Sequence, residues 1–257
     1  VPGLINQHEH AWLAAIVMLA EILSIEDWVL PDRTLLRARD AADYRRRLKL
    51  LIEEHVETDE VLYTWGYHQL FHGELSRAAL DELSPEIPII VLQRSMHEMI
   101  FNTPALERFG SDRARIEQVP AVARAQTDLE RGHFWEQGLF AVAPLVFGDL
   151  FAPDRYRPAL ERVERYWHAA GTTLVAEPGG IVSPALTSMQ NQVLGDAETP
   201  FRMYYLVDGK TMVMTYPEEE VIAETEKLFE SAVGMTRFLP KKVKLFVDGA
   251  MFSQLMQ

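Results

Sequence analysis

The hydrophobic positions of this chain switch repeatedly between two spacings. Residues 1–7 read as a short apolar strand. Trp12, Ile16, Leu19 and Leu23 then recur at helical spacing and predict a helix over 10–24. A second helix is predicted over 40–57, basic in its middle through Arg45, Arg46, Arg47 and Lys49. Strands follow at 61–67 and 88–94, with a helix over 76–83 that Ser76 can cap. A short helix over 103–110 closes at Gly110. Residues 120–147 read as helical in two pieces, and 153–170 as one helix ending before Gly171. The rest alternates: strand 172–176, strand 201–207, helix 217–233, strand 243–247. The 217–233 helix has Pro217 at its first position, Glu218, Glu219 and Glu220 in its first turn, and Gly234 after it. Strands separated by helices imply parallel pairing in βα units, so the expected class is α/β. The segment 8–170 is too long for one βα connection. It reads as a large, mainly helical excursion after the first strand, within a single domain over 1–257.

Composition narrows the chemistry. With 257 residues, 48% of them hydrophobic, the chain can bury a large core. It has no cysteine, which excludes disulfides and thiolate metal sites. Any metal must be held by His, Asp, Glu or a modified Lys. A net charge of −13 argues against nucleic acid and anionic membrane as partners. The longest apolar run, 11–20, meets Glu21 before it could cross a bilayer. No basic leader opens the chain, so the expected location is cytoplasmic. The chain opens without Met inside a predicted strand, so the natural N-terminus is expected further upstream. No nucleophile-elbow, phosphate-loop or dinucleotide motif is present.

His8 and His10 stand one residue apart after the first apolar run. On a strand, side chains at i and i+2 share a face, so two imidazoles there can grip one divalent ion; the alternative is two surface histidines in a loop. Lys244 is the second candidate. In the run from Val243 to Asp248, alternation places Val243, Leu245 and Val247 on one face and Lys244, Phe246 and Asp248 on the other. An inward lysine is costly unless paired or chemically changed. Carbamylation by CO2 would make it a carboxylate able to bridge two metals; pairing with a buried Asp, or snorkelling from an edge, is the alternative. His97 and Asn102 follow the 88–94 strand, where loops would line a pocket, or else form a structural hydrogen-bonded pair. Asp248 is either a turn residue or a substrate-site carboxylate. His68 and His72 share a helical face or belong to a packed aromatic loop.

Four stretches together resemble the amidohydrolase superfamily, in particular its amidohydrolase 3 family of N-substituted formamide deformylase-like, metal-dependent hydrolases. They are Pro2 to His10, Phe71 to Leu75, Arg94 to Glu98 running into Asn102 to Leu106, and Val243 to Gly249. The resemblance implies a partial TIM-type (β/α) barrel carrying about strands one to four, with the excursion after strand one. It implies His8, His10 and carbamylated Lys244 as metal ligands, one or two divalent ions (zinc above all), and His97, Asn102 and Asp248 beside the substrate. It implies an amidohydrolase cleaving a non-peptide amide, formamide or carbamate C–N bond of a small molecule. The family's small β-domain, second barrel half and general-base aspartate are not matched, and that aspartate is expected beyond Gln257. Two other readings stay open. One is an incomplete or degenerate barrel half acting only by association, its edge strands driving homo-oligomers. The other is a phosphotriester or lactone hydrolase on the same barrel.

Overall fold

The computed structural model describes residues 2–181 and 184–245. The chain divides into two compact units, one drawn from 1–19 and 152–247, the other from 20–151. In unit 1 the first strand, β1 (Leu4–Asn6), leads into α1 (Ala11–Leu19). The nine residues of α1 are all apolar.

Unit 2 follows. It runs β2 (Glu21–Ile22), a small hairpin of β3 (Trp28–Val29) and β4 (Thr34–Leu35), α2 (Ala41–His55), β5 (Leu62–Tyr67), α3 (Gln69–His72) and α4 (Arg77–Leu83). Then come β6 (Ile89–Gln93), β7 (Glu98–Phe101), α5 (Thr103–Arg108), α6 (Arg113–Gln118), α7 (Ala121–Ala125), β8 (Thr127–Asp128), β9 (His133–Trp135), a 3-10 turn (Glu136–Ala141) and α8 (Ala143–Leu150). Six strands form one sheet in the order β2-β5-β6-β7-β9-β8, parallel from β2 to β6 and antiparallel beyond. Both β5 and β6 are buried along their whole length, as their continuous apolar runs require. Helix α2 starts where Asp40 accepts a hydrogen bond from Asp43 N (2.9 Å), and it buries Tyr44, Leu48 and Ile52 at successive i+4 steps.

The chain returns to unit 1 with α9 (Pro153–Ala169), β10 (Thr172–Ile181), α10 (Pro184–Leu194), β11 (Arg202–Asp208), α11 (Gly209–Thr215), α12 (Glu218–Phe229) and β12 (Thr236–Lys244). The sheet order is β1-β10-β11-β12, with every neighbour parallel. Helix α9 buries Tyr156, Leu160, Val163 and Trp167 along one stripe, and Trp167 meets Phe201 edge-on at 5.6 Å. On β11, Met203, Tyr205 and Val207 are buried while Arg202 is exposed, the alternation of a sheet with one covered face.

The α/β class and parallel pairing agree with the hydrophobic pattern; four of the strands stand in the expected sequence order. Several expectations are corrected. The excursion has more helix than strand, as expected, but it also holds a compact unit over 20–151 built on a six-stranded sheet, of which only the strands at 61–67 and 88–94 were expected. The helix expected over 10–24 stops at Leu19, because Glu21 and Ile22 pair with Thr64 and Trp65. The two-piece helix over 120–147 contains a hairpin instead. Gly132, at φ +65°, turns the chain where a Cβ would strike the Phe101 carbonyl, and Phe134 enters the core. The last strand is displaced toward the N-terminus, from 243–247 to Thr236–Lys244. Thr236 and Phe238 face the helices, Lys241 takes φ +60°, and the register against β11 shifts before Val243. Val243 and Leu245, expected to pack on helices, are exposed.

Asn102 holds unit 2 together locally. Its carbonyl oxygen accepts from Ile89 N (2.8 Å) and Ala105 N (3.1 Å), and its amide donates to the Ile87 (2.8 Å) and Ser84 (3.3 Å) carbonyls. Asn102→Ala should cost about 2–3 kcal/mol in urea unfolding, since it removes a cap and strands buried backbone groups. His72 is the second such point. It stacks on Tyr44 at 4.5 Å, accepts from His68 N at Nδ1 (3.1 Å) and donates from Nε2 to the Ala38 carbonyl (3.2 Å). Burial, helped by the His68 charge, lowers its pKa from the usual 6.5 and outweighs Ala38, Asp43 and Glu26, which act the other way. The folded chain therefore binds this proton less readily than the unfolded one. The His72 contribution to stability is complete above pH 6.5 and is lost as pH falls below it. The loss of urea stability on acidification should be smaller in His72→Gln than in the parent.

Candidate metal centre

Strand β1 ends at Asn6, so His8 and His10 lie in the turn between β1 and α1 rather than on the strand itself. The turn is held by its own polar groups. The His8 amide donates to Asn6 Oδ1 (3.2 Å), Asn6 Nδ2 donates to Glu9 Oε2 (3.2 Å), and the Glu9 amide donates to the Ala176 carbonyl of β10 (2.9 Å). The two imidazoles meet edge-on with centroids 5.2 Å apart. Proximity therefore comes from the turn and its tie to β10, not from strand pleating.

Glu177, on β10, is fully buried. Its Oε2 accepts from Ala11 N (2.6 Å), the first amide of α1, and its Oε1 makes a short hydrogen bond with His10 Nδ1. Burial pushes the Glu177 carboxyl up, and the His10 hydrogen bond, the His10 charge and the Ala11 amide pull it back. Burial alone would lower His10, but the Glu177 bond and charge beside it raise it overall. Both directions describe one proton held between the two groups. His8 is lowered, first by burial, then by the charges of His10 and Lys244. Its ring is therefore the neutral form that ligates metals.

Lys244, at the end of β12, is half-buried, and its charge acts on both imidazoles. Gly179, at φ +94°, makes room for it: a Cβ there would lie 2.6 Å from both Cβ and Cγ of Lys244. Gly180 does the same for Glu177, since a Cβ would overlap its Oε1 and come within 2.7 Å of Trp12 Nε1. The structure thus brings His8, His10 and Lys244 together at one end of the unit 1 sheet. A shallow depression borders His8, lined by residues 4–8 and Thr172. Behind Glu177, between sheet and helices, lie the buried Tyr205 hydroxyl, Tyr156 and Gln190. Burial and the nearby Glu177 charge push the Tyr205 phenol well above its usual value, so it stays protonated.

The other candidates stand elsewhere. Asn102 is the buried cap of α5 in unit 2, with its amide engaged by backbone. His97, also in unit 2, lies 3.1 Å through Nδ1 from Glu136 Oε1 and is partly exposed. His72 is buried in the aromatic packing of unit 2. Asp248 lies outside the described residues. Among the described residues, no three His, Cys, Asp or Glu side chains converge as a ligand set. Glu177 was the residue the pattern missed. It is the one acid in the run from Thr172 to Gly180, and the predicted strand ended one residue before it.

Two solved structures share this fold. One is an uncharacterized metal-dependent hydrolase from Pyrococcus horikoshii OT3, at a TM-score of 0.61 and 15% identity. The other is an uncharacterized metal-dependent hydrolase from Pyrococcus furiosus, at 0.58 and 14%. Each match covers 98% of this chain but only 44% and 45% of theirs, so the chain spans under half their length. No family model matches the sequence, and no curated protein does. No helix among the described residues is long and apolar enough to cross a membrane.

The buried hydroxyl of Tyr205 has no hydrogen-bond partner among the described residues. Tyr205→Phe should therefore leave unfolding stability within about 0.5 kcal/mol of the parent, or raise it. A loss beyond about 1.5 kcal/mol would instead indicate an ordered water bridging this phenol to its neighbours.

Proposed function

We propose that this chain carries part of the metal centre of a metal-dependent hydrolase acting on a non-peptide C–N bond of a small molecule. The single observation that carries the reading is the pairing of His8 and His10, edge-on with centroids 5.2 Å apart at one end of a parallel sheet, where both feel the charge of Lys244. The donor set fits a divalent ion. His8 is neutral, and His10 is gripped through Nδ1, which leaves Nε2 as its ligating nitrogen. The sequence resemblance to amidohydrolases and the fold shared with two proteins described as metal-dependent hydrolases support the same reading.

His8 and His10 bind the ion from the β1–α1 turn. Lys244 joins them as a carbamate: its ammonium gives one proton to solvent, the freed Nζ lone pair adds to the carbon of CO2 as one C–O π bond opens, and a second proton leaves from nitrogen to solvent. The product is a carboxylate at the end of the side chain, with the negative charge that a divalent ion requires. When bound, the ion supplies Lewis-acid polarisation of a carbonyl and activation of water for attack. The absence of cysteine leaves nitrogen and oxygen donors, which suit a hydrolytic ion such as zinc. The shallow depression beside His8 offers small molecules access to the ion.

The test is metal analysis after reconstitution with zinc in bicarbonate buffer. The parent chain should hold metal, and Lys244 should carry the mass of one added CO2. His8→Ala and His10→Ala should each lose most of the metal. Unchanged stoichiometry in both variants would overturn the site. For the reaction, the protein should be assayed in its full natural length against N-formyl amines, N-acyl amino acids, cyclic ureides and carbamates. Turnover only of phosphotriesters or lactones would replace the C–N assignment and leave the metal centre standing.

A further inference from the structure

We infer that Glu177 is a positioning residue for the metal centre: by accepting the Nδ1 proton of His10 from inside the helix–sheet interface, it fixes the imidazole tautomer and presents Nε2 to the ion. This rests on the proposed metal reading, but its core, control of the His10 tautomer, can be measured without any metal.

The geometry leaves Glu177 little other role. It is fully buried, so it does not reach substrate. Its Oε1 is engaged by His10 and its Oε2 by the Ala11 amide at 2.6 Å, so it meets the centre through His10. The Ala11 amide can only donate, which makes its bond to Oε2 one-way. That contact orients the carboxylate and leaves Oε1 facing the imidazole. An oxygen acceptor at Nδ1 demands the Nδ1–H tautomer, and a neutral imidazole in that form carries its lone pair on Nε2. A carboxylate behind a ligating histidine is a recurrent device for holding ring orientation, and losing it weakens metal binding about 10–100-fold. Gly180 is part of the same device. A methyl group there would overlap Glu177 Oε1, so the carboxylate keeps its place only beside a residue without a side chain.

Two variants separate the effects. In Glu177→Gln the side chain has one acceptor and one donor end. The Ala11 amide takes the acceptor, so the NH2 group faces His10. Nδ1 must then accept, and the ring switches to the Nε2–H tautomer, which has no lone pair for the ion. In Gly180→Ala the carboxylate remains but is pushed from its position. Long-range 15N NMR of the metal-free protein should report Nδ1–H for His10 in the parent and Nε2–H in Glu177→Gln. Cobalt affinity, read by chelator competition and by the visible absorption of bound Co2+, should fall about 10-fold or more in both variants. Circular dichroism checks that each is folded. A folded Glu177→Gln with the parent tautomer, or with parent cobalt affinity, would overturn the inference. If Glu177→Gln fails to fold, an Nε2–H tautomer in the parent, or parent affinity in Gly180→Ala, would overturn it alone. His10→Ala binding cobalt as tightly as the parent would sink the metal reading instead, and the NMR arm would still decide whether Glu177 sets the tautomer.

Discussion

One buried carboxylate ties one end of unit 1 together. Glu177 reaches from β10 to the start of α1, 167 positions away from His10 in sequence. Its two oxygens satisfy the first helical amide and the Nδ1 of His10. Burying such a group is costly in isolation, and these two partners offset the cost. The return is a fixed junction. The turn carrying His8 and His10 cannot swing while its helix and its second histidine are both anchored to the sheet. Gly179 and Gly180 leave the space in which Lys244 and Glu177 lie. The chemistry proposed for this end therefore depends on a group that never meets solvent.

The rest of unit 1 is organised to keep that anchor dry. Val175 and Glu177 of β10 share their covered face with Met203, Tyr205 and Val207 of β11. Tyr205 packs on Phe238 at 5.3 Å, and Phe238 on Phe229 at 6.0 Å. Helix α1, apolar throughout, packs on α9, where Arg162 donates to the carbonyl of Met18 (3.0 Å). These contacts exclude water from the carboxylate, which strengthens both of its hydrogen bonds.

Unit 2 uses polar groups differently. Asn102 spends its amide on backbone at the start of β6 and the start of α5, and His72 bridges α3 to Ala38. Each sits at a position where a motif search would look for chemistry, and each is engaged in holding loops to a sheet. His72 and His10 thus differ in partner. His72 bonds to backbone and is a structural tie. His10 bonds to the buried carboxylate of Glu177.

The sequence by itself determined the α/β alternation, the strand cores at 62–67 and 89–93, the helices α2 and α9, and the cap at Ser76. These rest on local periodicity and on residues within one helical turn. It also singled out His8, His10 and Lys244, because imidazoles one residue apart and a lysine in an apolar run are unusual in themselves. Tertiary structure alone decided the rest. The hairpin at Thr127–Trp135 forms because β9 finds a partner in β7, overriding a helical pattern in that stretch. The last strand starts at Thr236 because Met203 pairs with it there, although Pro240 interrupts the local signal. Asn102 becomes a cap rather than a pocket residue because the backbone of Ile87 and Ile89 surrounds it. Glu177 acquires its role only when β10 lies beside the β1–α1 turn. A side chain's partners across a hundred and more residues are set by how sheets and helices pack, and no local spacing encodes them.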